Sequence, residues 1–242
     1  MDHLRPRRSV DPPPGGLGVI VPSSNDDGAV LAAIRDLLAG RVIGLPTDTV
    51  YGLAAALDRP GAIADLFAIK GRSEGKPLPV LIAGTGALGL VARPVPARVA
   101  AFLAALWPGG LTVALPARAG LSPAVVAPDG TVGIRVPDHG LTVAVLRGAG
   151  GAAAVTSANR SGAPPLRTAS EVRAAFGSWL GVVLDGEGRA DALPSTVIGF
   201  DGDEMSIIRH GAIGEDLLRA AWDPAGRESV PRVVSTRPGT VR

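Results

Sequence analysis

The chain has 242 residues, of which 46% are hydrophobic and 19% are charged, and its formal net charge is +2 at pH 7. The absence of cysteine excludes disulfide bonds, thiolate catalysis and cysteine-ligated metals. No apolar run approaches the roughly 20 residues of a transmembrane helix, and the charged, proline-rich start lacks the apolar stretch of a signal peptide. We therefore expect a cytoplasmic protein with a well-filled core.

The two ends of the chain differ in composition from its middle. Residues 1–22 lack hydrophobic periodicity and contain a Pro-Pro-Pro-Gly-Gly run, which resists both helix and central strand. We expect a disordered, Pro- and Arg-rich leader there, a single folded domain over 23–222 and a loose tail over 223–242.

Hydrophobic patterning predicts helices and short strands throughout the middle of the chain. Helical spacing predicts helices at about 25–40, 58–69, 96–107, 141–147, 168–176 and 213–222. Short apolar runs predict strands at 42–45, 78–82, 111–115, 132–136, 153–156, 182–184, 196–200 and 205–208. Because these elements do not follow a regular βαβ order, we expect one α/β domain with a twisted, mostly open mixed sheet and flanking helices.

Three polar stretches follow predicted strands or helices, where open α/β sheets usually bind ligands. They are Thr47-Asp48-Thr49 with Tyr51, the loop with Lys70, Arg72 and Lys76, and Ser157-Ala158-Asn159. Each stretch alone is also explained by turn chemistry or by charges that complement a helix end. Together they offer cations, hydroxyl groups and an amide, which is typical of a site that handles nucleotides.

The lysine content singles out one of these stretches. Lys70 and Lys76 are the only two lysines among the 24 basic residues, and both lie in one short loop with Arg72. A compact ammonium group differs from the planar guanidinium fork that the chain uses elsewhere. This loop is therefore a candidate anion site.

Several familiar sites are missing from the sequence. It has no GxxxxGK[ST] or GxGxxG phosphate loop and no GxSxG nucleophile motif. The three histidines, His3, His139 and His210, are scattered and lack metal-ligand spacing. We expect neither a P-loop or Rossmann nucleotide site, nor a serine hydrolase, nor a metal held by side chains.

Taken in order, the motifs resemble those of the YrdC family. The matching segments are PTDTVYGL at 46–53, KGRSEGKPLPVLI at 70–82, TVGIRVP at 131–137, VTSANRSGAPP at 155–165, LPSTVIGF at 193–200 and IIRHGAI at 207–213. The family signature, Lys-x-Arg followed far downstream by Ser-x-Asn, corresponds to Lys70, Arg72, Ser157 and Asn159. The resemblance covers about residues 25–220.

The resemblance implies a sheet folded around a large concave cavity and a threonylcarbamoyl-AMP synthase activity. This reaction joins L-threonine, bicarbonate or CO2, and ATP, releases pyrophosphate, and supplies a tRNA modification. The implied catalytic residues are the four signature residues. ATP is expected at Lys70, Arg72, Lys76, Thr131, Ser157, Asn159, Arg167 and Arg209. Threonine is expected at Thr49, Tyr51, Arg135 and Ser195.

The resemblance also implies a cofactor and partners. Mg²⁺ is expected with ATP, held by phosphate oxygens and water rather than by protein side chains. A tRNA or a downstream threonylcarbamoyl transferase complex is the implied macromolecular partner, and no membrane is involved.

The sequence departs from the family at two points and leaves two alternatives open. Ser73 stands where many members have proline, and no histidine occurs near Leu81, where some members have one that contacts substrate. The alternatives are a non-catalytic paralogue that binds double-stranded RNA or tRNA, and a carbamoyl-adenylate enzyme with a different acceptor. Retention of all four signature residues favours the synthase.

Overall fold

The computed structural model describes residues 19–21, 27–71, 76–186, 193–202 and 204–222. Its helices are α1 (Asp27–Leu38), α2 (Pro60–Lys70), α3 (Ala97–Leu106), α4 (Gly140–Gly148), α5 (Ala169–Phe176) and α6 (Glu215–Trp222). Short 3₁₀ helices occupy Thr85–Leu90 and Gly177–Trp179. Each predicted helix is present with bounds close to those expected. None of the described helices has both the length and the apolar content needed to cross a bilayer.

The strands form one mixed sheet. They are β1 (Val19–Val21), β2 (Val42–Leu45), β3 (Gly52–Ala56), β4 (Val80–Ile82), β5 (Leu111–Pro116), β6 (Thr131–Arg135), β7 (Ala152–Ser157), β8 (Leu180–Leu184), β9 (Thr196–Asp201) and β10 (Glu204–Arg209). Their order across the sheet is β1-β8-β2-β3-β7-β4-β6-β5-β9-β10. The sheet contains parallel pairs, such as β4–β6 and β5–β9, and antiparallel pairs, such as β3–β7 and β5–β6. The expected α/β fold with a mixed sheet is confirmed.

The sheet begins earlier than the sequence suggested. Strand β1 pairs in parallel with β8, with Val19 opposite Val182. The predicted leader is therefore wrong for Val19–Val21, because this β-branched run gains a ladder of backbone hydrogen bonds at the sheet edge. The rest of the predicted leader, residues 1–18 and 22, and the predicted tail lie outside the described residues.

Hydrophobic cores cover both faces of the sheet. The larger core packs α2, α3, α5 and α6 against one face, and the smaller core packs α1 and α4 against the other. Neighbouring residues of a strand alternate between the two, as when Ala54 joins the smaller core while Leu53 and Ala55 join the larger one. At roughly 25 cal/mol per Å² of buried apolar surface, the two cores are the principal source of stability.

Two local sequence features determine where α5 begins and where α2 ends. Thr168 and Glu171, at capping-box spacing in the sequence, form a capping box at the start of α5, with Glu171 N–H donating to Thr168 Oγ1 at 3.2 Å. Helix α2 ends at Lys70, and Gly71 follows in the left-handed conformation with φ of 58°, which glycine adopts at low cost. This ending sets the position of the signature lysine.

Candidate active site

The candidate site lies on the sheet face that α1 and α4 pack against, beside the strands that no helix in the described part of the chain covers on this face. Helices α1 and α4 cover that face over β2, β3, β7 and β8. In β5, β6 and β9, every second side chain belongs to the larger core. The side chains between them therefore lie on the opposite face of the sheet, which is the face of the candidate site. A cavity of about 380 Å³ opens there.

Hydroxyl groups, two arginines and an apolar surface line this cavity. The polar lining consists of Thr47, Thr49, Thr112, Thr156, Ser157, Ser195, Arg135 and Arg209. The apolar lining includes Tyr51, Pro77, Leu78, Pro79, Leu81, Val155, Pro165, Pro194 and Val197. Such a mixture, largely apolar with a few directed polar groups, is typical of a small-molecule site.

The structure brings many of the predicted site residues together. Those that line the cavity are Thr49, Tyr51, Arg135, Ser157, Ser195 and Arg209. Lys70 and Asn159 contact Ser157 and so adjoin the same wall. Arg72 lies outside the described residues.

Three predicted ATP contacts do not line the cavity. Thr131 begins β6, at the other end of the strand from Arg135, and its hydroxyl donates to Asp129 Oδ1 at 2.7 Å. Arg167 is exposed, and its backbone N–H donates to Glu171. Lys76 is exposed directly before the cavity residue Pro77.

Lys70 organises the turn after β7. Only 5% of this residue is exposed, and its ammonium group donates to the Ser157 carbonyl at 2.8 Å and to Asn159 Oδ1 at 2.5 Å. Ser157 Oγ also donates to Asn159 Oδ1 at 2.7 Å, while Asn159 Nδ2 donates to the Ala163 carbonyl. Because donors face Oδ1 and an acceptor faces Nδ2, the network fixes the amide orientation of Asn159. The Lys-x-Arg and Ser-x-Asn motifs are thus physically joined.

Arg135 is held in a buried ion pair. Its Nη2 donates to Asp48 Oδ1 at 2.6 Å, and the two side chains are only 7% and 8% exposed. Its Nε donates to the Gly109 carbonyl and its Nη1 to Thr49 Oγ1, both at 2.8 Å. Burial lowers the pKa of the Arg135 guanidinium, and the charge of Asp48 offsets part of that effect. The pair presents directed N–H groups to the cavity with little net charge.

Thr47 and Thr49 form the first of two hydroxyl pairs in the cavity. Thr47 Oγ1 donates to the Val50 carbonyl at 2.6 Å, so the 3.0 Å contact between the two hydroxyls is a bond donated by Thr49. Thr49 Oγ1 accepts from Arg135. Both hydroxyl protons are therefore used within the protein, and this Thr47–Thr49 pair can only accept a further hydrogen bond.

Thr112 and Ser195 form the second hydroxyl pair. Their oxygen atoms are 2.8 Å apart, and Arg209 Nη2 donates to Ser195 Oγ at 3.2 Å and to the Ser195 carbonyl at 2.7 Å. Burial lowers the pKa of Arg209. Since the two hydroxyls share one hydrogen bond and arginine only donates, the Thr112–Ser195 pair keeps one proton that it can donate into the cavity.

Tyr51 lines the cavity, but its hydroxyl group contacts backbone elsewhere. The residue is 1% exposed, and its hydroxyl accepts from Gly186 N–H and lies 3.1 Å from the Gly186 carbonyl. Burial is the largest cause that raises the pKa of Tyr51 to about 12, so it stays neutral near pH 7. The phenol hydroxyl thus links the turn before β3 to the backbone after β8 by hydrogen bonds.

Sequence reasoning gave no role to Asp48 or Thr112. Asp48 was noted only as part of a polar turn, because its partner Arg135 lies 87 residues away. Thr112 does carry a signal: it is a polar residue within an apolar strand, on the face opposite Leu111 and Val113. That pattern marks a strand position that faces a polar cavity.

Acidic side chains and histidine do not occur among the residues lining this cavity in the described part of the chain. The described residues also contain no group of three or more metal-ligating side chains. The polar chemistry of the lining is therefore that of arginines, hydroxyls and backbone groups, which suits the recognition of anions and small polar molecules.

Known proteins share both the sequence and the architecture of this chain. Residues 35–211 match the family model Sua5_yciO_yrdC, which carries the description "Telomere recombination". The threonylcarbamoyl-AMP synthase of Bacillus subtilis is 34% identical over 202 residues, covering 83% of this chain and 58% of the relative. The enzyme of the same name from Nitrosococcus oceani is 36% identical over 168 residues, covering 69% of this chain and 91% of the relative.

A solved structure with a bound amino acid is also similar. Sua5 from P. abyssi, crystallised in complex with L-threonine, is 27% identical with a TM-score of 0.78, over 84% of this chain and 60% of that one. The chain thus spans about three-fifths of the length of the Bacillus and P. abyssi relatives. The match of the family model, the sequence identity and the shared architecture agree, and the chain belongs to the Sua5/YciO/YrdC family.

Proposed function

We propose that this chain is a threonylcarbamoyl-AMP synthase that forms L-threonylcarbamoyladenylate and pyrophosphate from L-threonine, bicarbonate or CO2, and ATP. The observation that carries the proposal is the joining of two distant motifs at one cavity. Lys70 bonds the Ser157–Asn159 turn on one wall, and Arg135, Thr49 and Ser195 line the rest. The activity of the named relatives supports the same reading.

The reaction needs positioning and charge neutralisation more than a protein nucleophile. The nitrogen of the threonine ammonium group loses two protons to solvent and bonds to the carbon of CO2, which gives a carbamate that keeps one N–H. A carbamate oxygen then bonds to the α-phosphorus of ATP, and the bond from that phosphorus to the β-phosphate oxygen breaks, which releases pyrophosphate. Both reactants are anions, so cationic donors lower the barrier by holding them together.

The threonine side is assigned to the wall built by Arg135 and the two hydroxyl pairs. A guanidinium has five N–H donors, and three of those of Arg135 are used within the protein, so N–H groups remain for the substrate carboxylate. Thr49 can only accept, which suits the substrate nitrogen because that nitrogen keeps an N–H before and after carboxylation. The threonine bound to the P. abyssi relative supports an amino-acid site in this fold.

The ATP side is assigned to the Lys70 and Ser157–Asn159 wall and the neighbouring loop. Arg72 and Lys76 lie two and six residues after Lys70 in the sequence, and Arg209 is an exposed residue of the cavity lining. Together these cations would bind the triphosphate, with Arg167 and Thr131 as more distant contacts. Mg²⁺ would enter with ATP on its phosphate oxygens, since the cavity lining described above has no carboxylate to bind it. We propose that the protein acts in the cytoplasm, where ATP and tRNA are available to the reaction.

The proposal is tested by incubating the purified protein with ATP, Mg²⁺, bicarbonate and radiolabelled L-threonine. We expect a labelled adenylate that requires all four components, with one pyrophosphate released per adenylate. Lys70→Ala is the matched negative control, because it removes the bond to the Ser157–Asn159 turn and an ammonium group of the ATP wall.

The same experiment separates the alternatives. Tight binding of double-stranded RNA or tRNA without adenylate formation would replace the synthase by a binding protein. Pyrophosphate release that requires bicarbonate and a different amine, with no response to threonine, would indicate a carbamoyl-adenylate enzyme with another acceptor.

A further inference from the structure

The cavity contains two hydroxyl pairs of similar composition, and only one of them keeps a proton to donate. In the Thr47–Thr49 pair, one proton goes to the Val50 carbonyl and the other to Thr47. Ser157, a third hydroxyl of the lining, gives its proton to Asn159. In the Thr112–Ser195 pair, the two hydroxyls use one proton between them, whichever donates.

The hydrogen-bonding capacity of the Thr112–Ser195 pair matches an alcohol. One proton and two oxygen lone pairs remain after the bond within the pair and the bond from Arg209 to Ser195 are counted. An alcohol both donates and accepts, so it can satisfy both capacities of the pair. An ammonium group can only donate, and a carboxylate can only accept.

The methyl and hydroxyl groups of Thr112 point in different directions. A β-carbon added at Gly133, on the neighbouring strand β6, would lie 3.5 Å from the Thr112 methyl carbon, so this methyl group faces the glycine. The Thr112 hydroxyl is turned to Ser195 instead. Both residues are buried, and both line the cavity. The pair is thus a fixed polar point in a wall that also contains Val197 and Pro194.

We infer that the Thr112–Ser195 pair reads the side-chain hydroxyl of the amino-acid substrate, and that Thr112 is a specificity-determining residue. The inference rests on the proposed function, because it takes a β-hydroxy amino acid as the substrate of this cavity. Arg209, which donates to Ser195, holds the pair in place. L-Valine, which has a methyl group in place of the hydroxyl, would leave the buried proton of the pair without an acceptor.

The test compares L-threonine with L-valine in the wild type and in three variants. Thr112→Val keeps the methyl group beside Gly133 and removes only the hydroxyl. Thr112→Ser keeps the hydroxyl, and Thr156→Val removes a different hydroxyl of the cavity lining. Binding is measured by equilibrium dialysis of radiolabelled L-threonine with unlabelled L-valine as competitor, and adenylate formation is measured with each amino acid.

We expect Thr112→Val to lower the preference for threonine over valine about tenfold, chiefly by weakening the binding of threonine. Thr112→Ser and Thr156→Val should keep the wild-type preference within about threefold, since both retain the Thr112–Ser195 hydroxyl pair. The inference is overturned if Thr112→Val retains the wild-type preference, or if Thr156→Val loses it to the same extent.

The two measurements separate this inference from the proposed function. A wild type that makes no adenylate but binds threonine, with a preference that Thr112→Val removes, would refute the synthase activity and support the inference. A wild type that makes the adenylate, with an unchanged preference in Thr112→Val, would support the synthase activity and refute the inference. A wild type that binds neither amino acid would overturn both.

Discussion

The Thr47–Thr49 and Thr112–Ser195 pairs face the same cavity and are built alike, since each joins two hydroxyls and receives an arginine donor. They differ in what lies behind them. The carbonyl of Val50 takes a proton from the first pair, whereas the described contacts of the second pair include no such acceptor. Similar residue types therefore differ in hydrogen-bonding capacity: the first pair can only accept, whereas the second can also donate, because a backbone carbonyl takes the proton of one pair and not of the other.

The largest expected effect concerns the arginine behind the first pair. Arg135→Met would leave Asp48 as a buried carboxylate without its cation, which costs about 3–5 kcal/mol of unfolding free energy. Urea denaturation measures this loss. The matched control is the double variant with Asp48→Asn, which removes the buried charge and should recover much of the stability. A single variant as stable as the wild type would show that the first pair does not depend on this ion pair.

Tyr51→Phe tests the hydrogen bonds between the turn that contains the first pair and the backbone after β8. It removes the hydroxyl that accepts from Gly186 N–H, and we expect a loss of about 1–3 kcal/mol in unfolding free energy. The pKa of Tyr51 is raised from 10.0 to about 12, so its contribution is fully present below pH 10 and is lost as pH rises through about 12.

The alkaline transition of the wild type has its own readout. Tyr51 is the chain's single tyrosine, so tyrosinate absorbance reports its ionisation alone. The wild type should lose stability between pH 10 and 12, and Tyr51→Phe should lack that component. Ionisation of the folded protein near pH 10 would contradict the buried phenol.

Thr49→Val distinguishes the two pairs by their ligands. Because Thr49 is assigned to the substrate nitrogen, which L-threonine and L-valine share, binding of both should weaken by about tenfold or less. The ratio of the affinity for L-threonine to that for L-valine should stay that of the wild type. Competition dialysis measures both, and a selective loss of threonine binding would assign the side-chain hydroxyl to the first pair instead.

Arg209→Met should have the smallest effect on stability. Arg209 is exposed, so removal of its bonds to Ser195 should change the unfolding free energy by no more than about 0.5 kcal/mol. It should nevertheless reduce the preference for threonine by a few-fold, because Ser195 is no longer held. A loss of stability as large as that of Arg135→Met would show that the two arginines have equal structural roles.

Much of the fold could be predicted from local patterns. The 3.6-residue period of α1 and the capping box of α5 follow from neighbouring residues, and the structure confirms both. Strand β1 was missed because its three residues follow a Pro- and Gly-rich run and form a strand only through pairing with β8. Such pairing depends on partners more than 150 residues away, which a local pattern does not contain.

The site could be predicted only in part. The signature residues stand out as polar stretches of the sequence and are grouped by the resemblance, and the contact of Lys70 with Ser157 and Asn159 agrees with that grouping. The partner of Asp48 and the proton inventory of the hydroxyl pairs could not be predicted. Both depend on distances of about 3 Å between side chains on different strands and turns, which spacing along the chain does not determine.

The central claim is that this one cavity joins threonine, a one-carbon unit and the adenylyl group of ATP. It is tested most directly by supplying isotopically labelled bicarbonate together with L-threonine, ATP and Mg²⁺, and by analysing the product by mass spectrometry. The account predicts L-threonylcarbamoyladenylate that contains the labelled carbon, and no product when threonine is omitted. An adenylate without the label, or ATP turnover that does not depend on threonine, would contradict it.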